Sequence, residues 1–83
     1  MPYISEGRRA QIGPDGWCDP DSGGDLNYLF TKLAWKYFNQ NGENYQAIND
    51  IVGALEGAKL EFYRRVAAPY EDQKCYDNGD VYE

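Results

Sequence analysis

Apolar residues recur with a helical period in two stretches of the chain. Leu26, Leu29, Phe30, Leu33 and Tyr37 fall at i, i+3, i+4, i+7 and i+11, which places them on one helix face. Tyr28, Thr31, Trp35 and Phe38 lie on the other side. In Tyr45–Ala67 a second stripe holds Ile48, Ile51, Leu55, Phe62 and Val66, and the opposite face holds Gly53, Gly57 and Leu60, with Arg64 on the same track. Punctuation supports both elements. Asp25 follows the Ser22-Gly23-Gly24 turn as a candidate N-cap, Gly42 is a stop, and Asn44 is a candidate cap for the second helix. Ala68 precedes Pro69, which biases it away from helical geometry, so the second helix is expected to end there. The short connection favours an antiparallel pair. The pattern predicts an all-α fold: one domain with an antiparallel two-helix hairpin over 25–68, an irregular arm over 1–24 and an acidic, tyrosine-rich tail over 69–83.

The arm is expected to be irregular because Gly7, Gly13, Pro14, Gly16, Pro20, Gly23 and Gly24 interrupt any helical period. Tyr3, Ile4 and Trp17 are its apolar anchors. The tail carries five acids and one base, and Tyr70, Tyr76 and Tyr82 recur every six residues. A lone hairpin needs one apolar face per helix, whereas each helix here has two. The second face asks for a partner. Gly53-Ala54-Leu55-Glu56-Gly57 is a small-xxx-small step, and each glycine costs about 1 kcal/mol relative to alanine inside a helix. Missing side chains let another backbone approach closely, so Gly53, Gly57 and Leu60 form a candidate homo-oligomer interface. The alternatives are the chain's own terminal arm as the covering element, or two merely tolerated glycines.

Composition narrows the function. A chain of 83 residues carries one small core, and its net charge of −6 argues against general nucleic-acid binding, which needs a basic footprint. Histidine is absent, which removes the commonest general base and a frequent zinc ligand. The eight tyrosines suit an interface, or else the filling of a thin core. Met1–Ala10 has no apolar run, and no stretch reaches the ~20 apolar residues of a membrane span. Cys18 and Cys75 could pair and tie the two irregular ends together, but a cytoplasmic protein with both as free thiols is the favoured expectation.

Candidate chemistry is sparse. Lys59, Tyr63, Arg64 and Arg65 are the one basic cluster on a helix, and with Lys32 and Trp35 they form a candidate pocket for an anionic, aromatic ligand. Arginine forks suit phosphate, and tyrosine or tryptophan stacks on a base. The structural alternative pairs Glu61 with Arg65 at i,i+4 and sets Glu71 and Asp72 against Arg64. Asp19, Asp21 and Asp25 have the alternation of half a calcium loop, but Phe30 occupies the position of the bidentate acid, so an ordinary acidic turn before a helix is the better reading. No catalytic residue, cofactor or metal site is expected. Serine and cysteine lack a histidine partner, and no phosphate-cradling glycine loop is present.

The residues Met1-Pro2-Tyr3-Ile4, Leu26-Asn27-Tyr28, Ala58-Lys59-Leu60-Glu61-Phe62-Tyr63-Arg64-Arg65, Ala68-Pro69-Tyr70-Glu71-Asp72, Lys74 and Asn78-Gly79-Asp80-Val81-Tyr82 resemble a family of small proteins encoded by tailed bacteriophages and prophages. The resemblance covers about three quarters of the chain. It departs at Ser5–Gly24, where relatives carry a helix-like segment and this chain has glycine, proline and aspartate, and at Gly57, where a cysteine is more usual. It implies a phage accessory protein in the cytoplasm of an infected bacterium and assigns no activity. Two functions are therefore expected from the residues. One is a non-catalytic homo-oligomer that sequesters a nucleotide-type defence signal such as a cyclic nucleotide. The alternative is an inhibitor or adaptor that captures a host protein through the acidic, tyrosine-rich surface.

Overall fold

In the computed structural model, residues 1–13 and 18–82 are described, and all their regular elements are helical. Trp17, expected to anchor the arm, lies outside the described residues, as do Pro14, Gly16 and Glu83. Helix α1 spans Glu6–Ile12, α2 Gly23–Gln40 and α3 Tyr45–Phe62. A π-helical turn, Tyr63–Ala67, then leads into α4, Ala68–Asn78, without a break. The chain divides into two units, Met1–Ile51 and Val52–Glu83.

Three boundaries differ from expectation. The segment read as an irregular arm contains α1. Ser5 caps it by accepting the Arg8 amide at 3.2 Å, Glu6 sits in its first turn, and Gly13, at φ +86°, ends it. A capped helix of about two turns therefore forms with Gly7 inside it, and Gly13, one of the glycines that argued against a helix, marks its end. The first long helix is capped by Ser22 rather than Asp25, through the Asp25 amide at 3.0 Å from Ser22 Oγ. Asp25 is not free to cap because its carboxylate accepts from Arg8 and from the Asp21 amide.

The third difference is the tail. Helix continues through Ala68, at φ −62° and ψ −47°, and through Pro69 to Asn78. Proline at 69 has no N–H for the Arg65 carbonyl, and its ring would crowd that carbonyl in a regular α-helix. The chain resolves both problems one turn earlier. The Ala68 amide bonds the Tyr63 carbonyl, five residues back, so the turn is widened where the proline needs room. A local bias against helix before proline is thus overridden by a change of helix type.

The N-terminal unit is held by specific contacts. Among its described residues Ile12 and Ala47 are the buried apolar ones and Asp25 the buried polar one. Arg9 donates to the Ile4 carbonyl at 3.1 Å and lies over the Tyr28 ring at 5.8 Å. Ile4 packs on α2 at Gly24 so closely that a Cβ there would meet its Cγ2 at 3.0 Å. At the other end of α2 the chain turns through Gly42 and Glu43, both at positive φ. Asn44 caps α3 by accepting the Ala47 amide at 2.9 Å. The Tyr37 hydroxyl on α2 donates to Asp50 on α3 at 2.9 Å.

Candidate functional site

The anchoring of α1 depends on one arginine. Arg8 projects from α1 so that Nε donates to Asp25 Oδ2 at 2.8 Å, and its terminal nitrogens reach Asp21 Oδ2 at 3.2 Å, the Asp19 carbonyl at 3.1 Å and Gln11 at 3.3 Å. Arginine suits this task because its planar fork serves several acceptors at once. The hydrogen bond to Asp25 raises the Arg8 pKa above its ordinary value, against the opposing effect of desolvation. The Asp25 carboxyl is held below the usual carboxylate range, first by Arg8, then by the Asp21 amide. Two of the three carboxylates in the acidic turn that resembled half a calcium loop, Asp21 and Asp25, are therefore engaged by one guanidinium. Arg8 was not singled out in the sequence. The signal that could have found it is Ser5 followed by Glu6, a cap and an acidic first turn, with Ile4 and Ile12 eight residues apart.

The six candidate ligand residues are divided between the two units: Lys32 and Trp35 in the first, Lys59, Tyr63, Arg64 and Arg65 in the second. Lys32 is half-buried. Trp35 is exposed and stacks on Phe38, with ring centroids 5.9 Å apart. Lys59 pairs with Glu56 at 3.6 Å. Arg64 pairs with Glu61 at 3.4 Å, so Glu61 serves Arg64 at i,i+3 and not Arg65 at i,i+4 as expected. Glu71, expected to face Arg64, instead neighbours Tyr63 and raises that hydroxyl's pKa above its ordinary value. Lys59 and Arg64 thus each have an acidic partner. Successive helical residues also point about 100° apart, so Tyr63, Arg64 and Arg65 fan around the helix and do not converge on one point.

The candidate oligomer face is open. A Cβ added at Gly53 or Gly57 would meet no atom within 4 Å, and Leu60 beside them is exposed. The opposite stripe is open as well: Leu55 is 46% exposed, Phe62 64%, Val66 52% and Tyr70 63%. No described residue of the unit from Val52 onward is buried. In the N-terminal unit the stripe of α2 is likewise uncovered, with Leu26 at 42%, Phe30 at 51% and Leu33 at 57%. Among the described residues no helix is long and apolar enough to cross a membrane, and no group of three metal-ligating side chains converges. What the arrangement offers is apolar helix surface edged by charge.

These features define a small all-helical protein whose helices present uncovered apolar faces. The chain belongs to the family described as Domain of unknown function (DUF6899), which it matches over residues 1–81. That match takes in α1, both long helices and the helical continuation past Pro69 as one family unit. Comparison with curated proteins and with solved structures gives no match.

Proposed function

We propose that the chain is a non-catalytic binding protein that works as a homo-oligomer and presents its assembled helical surface to a partner. One observation carries the reading: from Val52 to Tyr82 the chain is mostly helix, yet none of its side chains is buried, apolar ones included. Isolated helices are marginal in water, and most helix stability comes from covering an apolar face. A continuous helix with Val52, Leu55, Leu60, Phe62 and Val66 exposed calls for an occupant. The stripes that could close on each other in an antiparallel hairpin within one chain close, in this reading, on other copies, and the face of Gly53, Gly57 and Leu60 lets a neighbouring backbone approach.

Sedimentation velocity over a wide concentration range, with helicity followed on dilution, tests this. Assembly with helix loss on dilution supports it; a monomer with undiminished helicity at every concentration overturns it. Gly53→Ala and Gly57→Ala add a test by sign. On a bare helix each raises stability by about 1 kcal/mol, whereas at a close helix contact each weakens assembly.

Between the two roles weighed for the assembly, capture of a host protein has the better support. Tyr76, Val81 and Tyr82 are almost fully exposed beside Asp77 and Asp80, a surface suited to an aromatic-anchored protein contact. Removal of Asp77–Glu83 abolishes that capture if the surface is used. Sequestration of a nucleotide-type signal is supported less, because Glu56 and Glu61 pair with Lys59 and Arg64, two of the groups that would take the phosphates. A rise in melting temperature with a cyclic dinucleotide, lost in Arg65→Ala, would reverse that order. In either role the resemblance to small phage-encoded proteins suggests occupancy of a host factor in the bacterial cytoplasm, without chemistry.

A further inference from the structure

The occupant of the C-terminal stripe can be argued from its charge pattern. The stripe runs through the π-turn: Leu55 and Phe62 are seven apart, then Phe62, Val66 and Tyr70 follow at intervals of four. In a regular α-helix, four residues overshoot one turn and such a file drifts around the axis. The wider turn at Tyr63–Ala67 takes up that excess and keeps the three in line. One flank of this stripe is fixed by observed contacts. Lys59 pairs with Glu56 at 3.6 Å. Tyr63, one turn on from Lys59, neighbours Glu71, and Lys74 lies over the Tyr70 ring at 5.5 Å. The flank therefore reads acid, base, then acid, base: Glu56, Lys59, Glu71, Lys74.

This order has a direction. Glu56 and Lys74 are equidistant from residue 65, and so are Lys59 and Glu71. Residue 65 is also the middle of the π-turn. Two copies laid parallel would turn this flank towards the opposite flank of the partner, so its four charges would not meet one another. Laid antiparallel about a two-fold axis at Arg65, Glu56 of each copy faces Lys74 of the other, and Lys59 faces Glu71. In such an arrangement every favourable pair occurs twice.

We propose that the Val52–Asn78 helices of two copies pair antiparallel through the stripe of Leu55, Phe62, Val66 and Tyr70, with the two-fold axis at the π-turn. The π-turn then serves the interface: it admits Pro69 and keeps the apolar file continuous across the symmetry axis. The face of Gly53, Gly57 and Leu60 stays free for a further contact. This pairing presupposes the self-association proposed above, and it goes further by fixing partner, direction and register.

The full chain with Cys18→Ser and Cys75→Ser is spin-labelled at Arg65→Cys or at Asn78→Cys, and distances between copies are read by pulsed electron paramagnetic resonance. From the helical rise, the antiparallel pair places the labels at 78 about 40 Å apart and those at 65 within about 20 Å. Similar short distances at both positions indicate a parallel pair and overturn the proposal. Charge reversal is the second measurement. Lys59→Glu weakens association roughly tenfold, because two exposed pairs become repulsive, and Lys59→Glu with Glu71→Lys restores it. A double reversal that fails to recover overturns the register. A protein that sediments as a monomer throughout overturns the self-association itself, whereas an oligomer with the wrong distances overturns only the antiparallel pairing.

Discussion

The two units of this chain solve the problem of small size in different ways. Met1–Ile51 is fastened by named polar contacts around a very small buried set: Arg8 to Asp25, Arg9 to Ile4 and Tyr28, Tyr37 to Asp50, and a close fit of Ile4 on Gly24. From Val52 on, the chain has regular backbone hydrogen bonding and local ion pairs, but no buried side chain among the described residues. Exposed i,i+3 pairs such as Glu56–Lys59 contribute only a few tenths of a kcal/mol each. The first unit thus carries its own tertiary constraints. The second leaves its large apolar residues exposed along the helix.

The contrast breaks most sharply at the stripe. Phe62→Asp or Val66→Asp is expected to weaken self-association by on the order of a hundredfold, since each puts a charge into an apolar seam. Sedimentation measures this, and contacts at Arg8 and Asp25, followed by amide exchange, stay intact. Next in size is Arg8→Ala. It leaves the buried Asp25 carboxylate without its main partner and is expected to lower the melting temperature by on the order of 10 °C. Protection of α1 and the start of α2 is lost first, while helix content from Val52 onward persists in the assembled protein.

A smaller effect comes from pH. The Asp25 pKa lies below its ordinary value, so its contribution is fully present above the unfolded carboxylate pKa of about 4 and is lost as pH falls through the lower folded value. Thermal stability of the N-terminal unit should therefore be flat from neutrality to about pH 5 and decline in more acidic solution. Asp25→Asn should remove most of that decline and lower the plateau. Smallest is a pair of glycine substitutions. Gly24→Ala gains little because the new methyl meets Ile4 Cγ2, whereas Gly53→Ala enters open space and gains the helix propensity of about 1 kcal/mol in the unassembled chain. Equal gains at both sites would show that Ile4 does not pack as described.

Helical periodicity alone was enough to place α2 and α3, because Leu26, Leu29, Phe30 and Leu33, and likewise Ile48, Ile51 and Leu55, repeat with the period of the helix itself; it did not tell which face is covered, since Leu26, Phe30 and Leu33 are exposed while Tyr28 and Phe38 are half-buried. The caps followed the same logic at Asn44, where a local side chain satisfies a local amide. At Asp25 that logic failed because a residue seventeen positions away claims the carboxylate. The same holds for the candidate basic site. Adjacency in sequence suggested a cluster, but side chains on a helix diverge, and Glu56 and Glu61 determine which charges are spent.

The chain's sequence determined that it is helical, acidic and richer in apolar face than one hairpin can use, since these properties depend on composition and short-range spacing. Only the tertiary structure decided that Arg8 holds α1 to the start of α2, because that bond joins groups with no local relation. Only it decided, too, that the helix passes Pro69. A proline reads locally as a stop, and it is the hydrogen bond from Ala68 back to Tyr63, formed by widening one turn, that lets the backbone continue.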